Sequence, residues 1–174
     1  MTEPPQDRPS VRRAAPEALI FIEIWGDQTV VERRLTRALP QPCRSAGVDK
    51  MRLLWWEPST WLVRAAMECR DVALQRLTDA LGDDGAAIEA TGGFVRLLAE
   101  GTGWRELMMI GGCFDAGSPS FGPGSVAGTL IHHTPVHLDV VSETAVEAYV
   151  APSYAEHLSS AWSAAAARLA GAGA

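Results

Sequence analysis

Three histidines at the spacing HHxxxH are the first residues whose type and arrangement could support chemistry. His132, His133 and His137 stand in the stretch TLIHHTPVHLDVV, and two imidazoles four residues apart on a helix can share one metal ion. The stretch is rich in β-formers and contains Pro135, so we predict a strand, on which residues four apart are separated by about 13 Å. His132 and His133 then point to opposite faces, and Asp139 does not complete a ligand set. We therefore predict no metal site.

Cys113 is the candidate nucleophile, in the glycine-rich segment GGCFDAGSPSFGPGS. A reactive thiolate needs a basic neighbour or the N-terminus of a helix to lower its pKa. The helix predicted at residues 103–110 instead ends just before Cys113, which brings the negative end of the helix dipole towards the thiol. We predict a buried structural thiol. The alternative, a thiol enzyme, requires Cys113 to be alkylated much faster than Cys43 and Cys69.

Acidic side chains form no recognisable acid/base pair. Asp115 lies near Cys113, where a single carboxylate in a turn is expected to bind backbone amides. Glu23 and Glu57 are interpreted as surface residues. The sequence contains none of the signatures GxGxxG after a strand, Walker A, GxSxG or HExxH. We predict no catalytic, cofactor-binding or metal-binding residue in this chain.

Charge and composition exclude several classes of partner. The net charge is −6, with 15 Lys+Arg against 21 Asp+Glu, which argues against nucleic acid and anionic membranes. The local basic cluster of Arg33, Arg34 and Arg37 is interpreted as a solvated helix face. The three cysteines form no CxxC pair, and no apolar run is long enough for a signal peptide or a membrane span. We predict a cytoplasmic protein with reduced thiols.

Hydrophobic periodicity predicts the elements that must position these residues. We expect a flexible N-terminal arm at residues 1–16, followed by a single α+β domain at 17–170. The predicted strands are 18–25, 51–56, 61–67, 86–91, 94–99, 128–141 and 145–150. The predicted helices are 28–39, 71–81, 103–110 and 154–169. Asp71 and a capping box of Ser153 and Glu156 are predicted to start two of them, and Gly82 to end one.

The order of these elements repeats along the chain. Residues of about 17–82 and 86–170 both follow the pattern strand–helix–strand–strand–helix, with one extra strand in the second half. This pattern predicts two tandem layers with antiparallel sheets, each covered by helices on one face. Among the six tryptophans, Trp25, Trp55, Trp56 and Trp104 are candidates for contact with another protein.

One segment resembles a known family. Residues 107–138, LMMIGGCFDAGSPSFGPGSVAGTLIHHTPVHL, resemble the gamma subunit of heterotetrameric sarcosine oxidase. In that family a Gly-Cys pair ends a helix, and an aspartate, a Phe-x-Pro-Gly loop, a strand with threonine and a Pro-Val turn follow. The matching residues here are Gly112, Cys113, Asp115, Phe121, Pro123, Gly124, Thr129, Pro135 and Val136. PSYAEHL at 152–158 is similar to the start of the family's last helix, and the resemblance covers about 86–169.

The resemblance implies a T-protein-like fold, similar to the folate-binding region of the glycine-cleavage T protein. It also implies a complex of alpha, beta, gamma and delta subunits that oxidises sarcosine or a related N-methyl amine. FAD, FMN, NAD and tetrahydrofolate are expected in the partner subunits, and none is expected on this chain alone. The hypothesis is therefore a non-catalytic gamma-type subunit with a structural and assembly role. The alternative is a stand-alone protein that binds folate or a one-carbon unit.

Overall fold

The computed structural model of the protein describes residues 9–48 and 51–171. Within these residues the chain divides into two compact units. The N-terminal unit is Pro16–Gly92, and the C-terminal unit combines the residues up to Ala15 with those from Gly93 onward. The single domain at 17–170 stays a prediction, and the boundary between the two halves lies between Gly92 and Gly93 rather than at residues 82–86.

Ten strands and four helices make up the described elements. The strands are β1 (Ser10–Arg13), β2 (Ala18–Ile24), β3 (Ser45–Val48), β4 (Met51–Glu57), β5 (Thr60–Ala65), β6 (Gly85–Glu89), β7 (Val95–Glu100), β8 (Val126–Ile131), β9 (Thr134–Ser142) and β10 (Ala145–Val150). The helices are α1 (Gln28–Leu35), α2 (Arg70–Leu81), α3 (Trp104–Met109) and α4 (Pro152–Gly171). None of these helices combines the length and the hydropathy needed to cross a membrane.

The two units share one topology. The N-terminal sheet has the order β3-β4-β5-β2-β6, and the C-terminal sheet has the order β8-β9-β10-β7-β1. All neighbouring strands are antiparallel. Each unit runs strand, helix, three strands and helix, and its fifth strand pairs beside the first. The α+β class with antiparallel sheets is confirmed. The predicted pattern lacks β3 in the N-terminal unit and β1 in the C-terminal unit.

Helices cover one face of each sheet and enclose a separate core. In the N-terminal unit the isoleucines of β2 pack with α1, α2 and the neighbouring strands. That core comprises Ile20, Ile22, Ile24, Val31, Leu35, Leu39, Leu53, Trp61, Val63, Leu77 and Leu81. In the C-terminal unit α3 and α4 contribute Trp104, Leu107, Met108, Leu158, Trp162 and Ala165 to the other core. Leu158, Trp162 and Ala165 form an apolar stripe with helical spacing on α4.

Part of the predicted flexible arm is a strand. Ser10–Arg13 form β1, which pairs with β7 over four residues. Val11 packs against the C-terminal core, and Arg12 Nε lies 3.1 Å from Glu100 Oε2. The arm prediction is therefore wrong for these residues, because backbone pairing with β7 orders a segment that is too short and polar to show periodicity. Residues 1–8 of the predicted arm lie outside the described residues.

The predicted long strand at 128–141 is two strands. It reverses at His132 and His133, whose φ angles are 48° and 61°, and β8 then pairs with β9. Positive φ at both loop residues is typical of the type I′ turn that joins antiparallel strands. A hydrogen bond of 2.8 Å from His132 N to Gly111 O holds the turn, and such long-range contacts have no local sequence signal. Pro135 is the second residue of β9.

Helix ends differ from the predicted ones for local reasons. Helix α1 stops at Leu35 rather than at residue 39, because Thr36 adopts a left-handed conformation with φ of 58° and its N–H bonds Arg33 O. The cap of α2 by Gly82 is confirmed. Its predicted start is wrong, since Asp71 lies in the first turn and accepts a hydrogen bond from Arg70 Nε instead.

Helix α4 begins two residues before the predicted start. Pro152 is its first residue, and proline suits that position because its missing N–H would have no partner there. Ser153 and Glu156 thus lie inside the helix rather than forming the predicted capping box.

Candidate functional site

The three histidines are separated by the turn rather than gathered at one site. His132 packs its ring over Gly111, where an added Cβ would clash with the imidazole. His137 lies on β9 and packs over its cross-strand partner Gly128. The described residues contain no group of three or more His, Cys, Asp or Glu side chains that could hold a metal ion. The histidines therefore serve turn and sheet packing.

Arg105 organises the glycine-rich loop between α3 and β8. Its Nη1 donates hydrogen bonds to Ala116 O at 2.6 Å and to Phe121 O at 2.7 Å. The guanidinium also lies 4.5 Å from the centre of the Trp104 ring, within the range of a cation–π contact. The guanidinium of Arg105 thus lies on the indole of Trp104 and binds two carbonyl groups that are five residues apart in the loop.

Aromatic and glycine residues of the loop complete its packing. Phe114 and Phe121 make an edge-to-face contact with ring centres 4.6 Å apart. Gly111 and Gly124 have φ angles of 74° and 80°, a region that side chains with Cβ rarely adopt. The N–H of Gly124 donates to Val140 O at 2.8 Å, which ties the end of the loop to β9. The residues that carry the family resemblance build a folded connection.

Cys113 is exposed, so the prediction of a buried thiol is wrong. The loop turns its other side inward, because Ala116 and Phe121 occupy the buried positions. Asp115 accepts a hydrogen bond of 2.9 Å from Gly117 N, which confirms its predicted action on backbone amides. Cys113 is therefore accessible to solvent, but the carboxylate of Asp115 bonds Gly117 N and does not act as its acid/base partner.

A buried ion pair in the C-terminal sheet was missed by the sequence reasoning. Arg96 Nη1 on β7 lies 3.0 Å from Glu147 Oε1 on β10, with side-chain exposures of only 6% and 9%. Arg96 Nη2 also donates to Ala15 O at 2.5 Å, and Tyr149 OH lies 3.3 Å from Glu147 Oε2. Asp139 is fully buried opposite Glu147 on β9.

This group lies on the sheet face opposite the helices, since its members alternate with core residues along their strands. The available signal was one charged residue inside each of the apolar runs VRLLA and AVEAYV. Each charge has a partner within the chain, so the arrangement is that of a structural ion pair.

The four candidate contact tryptophans differ in exposure. Trp25 is 63% exposed, and its Nε1 donates to Asp83 O at 3.0 Å. Trp55 and Trp56 are half-buried, and Trp104 is fully buried in the core. Other exposed large apolar side chains are Met67, Val72, Ile88, Met109, Ile110, Leu130 and Tyr154. Trp25 is thus the member of the predicted set that presents its ring to solvent.

Hydrogen bonds at element ends displace the pKa of several surface groups. The backbone N–H of Thr29 lowers the pKa of Asp27, which caps α1. The hydroxyl of Thr91, followed by its N–H, lowers the pKa of Glu89. The hydrogen bond to the Asp71 carboxylate raises the pKa of Arg70. Each of these shifts has a local structural cause.

Comparisons with known proteins place this geometry in a family. The model of the sarcosine oxidase, gamma subunit family matches residues 44–168, which is more than half of the chain and extends the resemblance into the N-terminal unit. A chain of heterotetrameric sarcosine oxidase from Corynebacterium sp. U-96, solved with pyrrole 2-carboxylate, is 20% identical with a TM-score of 0.82. The superposition covers 92% of this chain and 84% of that one.

Glycine cleavage system aminomethyltransferase T from Bartonella henselae is 15% identical with a TM-score of 0.64. That match covers 90% of this chain and 45% of the aminomethyltransferase. The T-protein-like fold of this chain is therefore confirmed, and it corresponds to about half of the larger protein. Comparison with curated protein sequences gives no significant match. On the match of its family model, the chain belongs to the sarcosine oxidase gamma subunit family.

Proposed function

We propose that this chain is the non-catalytic gamma-type subunit of a multi-subunit, flavin-dependent oxidase of sarcosine or a related N-methyl amine. The observation that carries the proposal is the family match over residues 44–168. Its role is structural: the chain supports assembly of the complex, and the reaction takes place on other subunits.

The chemistry available in the described residues agrees with this role. Cys113 is exposed, but the neighbouring carboxylate of Asp115 is bound to Gly117 N. His132 and His137 pack over Gly111 and Gly128. These side chains stabilise turns and strands, and they do not converge on a position where a substrate atom would react.

The proposed partners are alpha, beta and delta subunits, and the proposed cofactors on those partners are FAD, FMN, NAD and tetrahydrofolate. Trp25 is the candidate contact residue on this chain, because an exposed indole with a fixed orientation is typical of the centres of protein interfaces. We propose the cytoplasm as the compartment, which agrees with three free and exposed cysteines.

Affinity purification tests the assembly role. The chain, carrying a tag, is expressed together with the genes adjacent to its own and then recovered. We expect a large flavoprotein to co-elute in fixed stoichiometry through size-exclusion chromatography. A stable monomer that binds none of the co-expressed proteins would contradict the proposal.

A second candidate is a stand-alone protein that binds folate or a one-carbon unit. The fold similarity to aminomethyltransferase T favours it. Isothermal titration of the isolated chain with tetrahydrofolate separates the two candidates. Micromolar binding supports the second, whereas the first predicts no heat of binding.

A further inference from the structure

The N-terminal unit contains an apolar pocket of about 190 Å³. Helix α2 packs against β2 and β6, so the helix-covered face of β4 and β5 is left open beside it. The floor of the pocket consists of Met51, Leu53, Val63 and Ala65 from these two strands. Leu35, Val72, Ala73 and Leu77 from α1 and α2 form its walls.

The volume limits the size of a ligand. An apolar protein cavity of about 150 Å³ holds one benzene molecule without water. A pocket of about 190 Å³ therefore accepts one six-membered ring, or a short alkyl chain, together with a small head group. Aliphatic side chains on the floor and walls favour an apolar body.

Charge at the pocket determines the head group. Arg37 and Arg76 line it, and the described residues that line it include no acidic side chain. In the adjoining groove Asp71 is bound by Arg70 at 2.8 Å, and Asp79 is bound by Gln75 at 2.7 Å. Within residues 9–48 and 51–171, no hydrogen bond or ion pair engages the guanidinium of Arg76. A guanidinium whose N–H groups have no hydrogen-bond partner, placed beside an apolar surface, matches a carboxylate.

We propose that this pocket binds a small apolar monocarboxylate, with an aromatic ring or a short aliphatic chain as its body. The body lies on Leu53 and Val63, and the carboxylate meets Arg76 at the rim. The site consists of residues of the N-terminal unit alone.

Cys69 provides a reporter for the test, because it lines the pocket and is exposed. The full-length protein is alkylated with N-ethylmaleimide, with and without benzoate, and the modification of each cysteine is followed by peptide mass spectrometry. Benzoate is expected to slow Cys69 about tenfold when it exceeds its Kd roughly tenfold, since the free fraction then falls to about one tenth. Cys43 and Cys113 do not line the pocket and serve as internal controls whose rates stay constant.

Matched compounds and variants separate the two parts of the proposal. Acetate supplies the charge without the body, and benzyl alcohol supplies the body without the charge, so each is expected to protect Cys69 much less than benzoate. Arg76→Gln removes an exposed cation with little risk to folding and is expected to weaken the protection by benzoate. Ala73→Phe fills the pocket and is expected to abolish it, provided that the thermal midpoint shows a folded protein.

Two results would overturn the proposal. One is unchanged Cys69 alkylation at millimolar benzoate in the wild-type protein. The other is a Cys69 that is already shielded in the co-purified complex and insensitive to benzoate, which would mean that a partner chain covers the pocket. The first result leaves the assembly role untouched and the second requires assembly, so the two proposals fail separately.

Discussion

At the scale of single residues, the ion pair of Arg96 and Glu147 is the feature with the largest expected effect on stability. Arg96→Leu leaves the Glu147 carboxylate buried without its cation. We expect the free energy of unfolding to fall by about 3–5 kcal/mol, measured by urea denaturation. Arg12→Leu is the matched control, because the Arg12–Glu100 pair is about half exposed and is expected to contribute at most about 1 kcal/mol.

The double replacement completes this test. Arg96→Leu combined with Glu147→Leu removes both buried charges, and we expect it to recover most of the lost stability. Equal losses in Arg96→Leu and Arg12→Leu would show that the pair is not buried in the folded protein.

Arg105 is the residue that orders the glycine-rich loop. Arg105→Ala removes the hydrogen bonds to Ala116 O and Phe121 O, so the loop should open more often. We expect faster amide hydrogen exchange over residues 112–125 and unchanged exchange in β10, measured by mass spectrometry. Arg168→Ala on the exposed side of α4 is the control, and equal exchange in the two variants would refute the role of Arg105.

Residue-level predictions from the sequence succeeded where the cause was local. The action of Asp115 on a nearby amide was predictable, because the acceptor and its donor Gly117 N are two residues apart. The exposure of Cys113 was not, because a loop has no periodicity to separate its inner from its outer side. The burial of Arg96 also escaped prediction, since its partner Glu147 is 51 residues away.

At the scale of elements, the cap of α1 gives a stability effect that depends on pH. Thr29 N lowers the pKa of Asp27, so the folded state favours the carboxylate. This stabilisation is present above the unfolded pKa of about 3.9 and is lost as the pH falls through the lower folded pKa. Asp27→Ala should therefore lower the thermal midpoint at neutral pH, and the difference should narrow below about pH 4.

Asp27→Asn is the control for this cap, because the amide oxygen still accepts a hydrogen bond but does not titrate. Its difference from wild type should be smaller than that of Asp27→Ala at neutral pH. A deficit of Asp27→Ala that stays constant down to strongly acidic pH would exclude the carboxylate as the cause.

Strand β1 is testable by a pair of substitutions, one at a packed position and one at an exposed position. Val11 packs against the C-terminal core and Arg13 is exposed. Val11→Asp is expected to lower the free energy of unfolding by about 2 kcal/mol in urea denaturation, whereas Arg13→Asp should change it by less than about 0.5 kcal/mol. Small and equal effects would restore the interpretation of this segment as a flexible arm.

Periodicity predicted most elements, while turns and short strands escaped it. The stripe of Leu158, Trp162 and Ala165 on α4 was readable because its spacing is helical. The reversal at His132 and His133 was not, because a type I′ turn is expected at residues such as Asn-Gly, which tolerate positive φ.

At the scale of the whole molecule, the duplicated order of elements was predictable from the sequence. Which strand belongs to which of the two sheets was not. Strand β6 follows α2 and pairs with β2, although the sequence pattern assigned it to the second half. Strand β1 fills the same position beside β7 in the C-terminal sheet. Such long-range pairing depends on which sheet edge is open, and local sequence patterns do not show which edge that is.

The central claim is that this chain assembles an oxidase but performs no bond-making itself. The most direct test is the oxidation of sarcosine, and of related N-methyl amines, by the isolated chain, by the co-purified complex and by the partner subunits expressed without this chain. We predict turnover by the complex, none by the isolated chain, and reduced activity together with incomplete assembly when the chain is omitted. Amine oxidation by the purified chain alone would contradict the account.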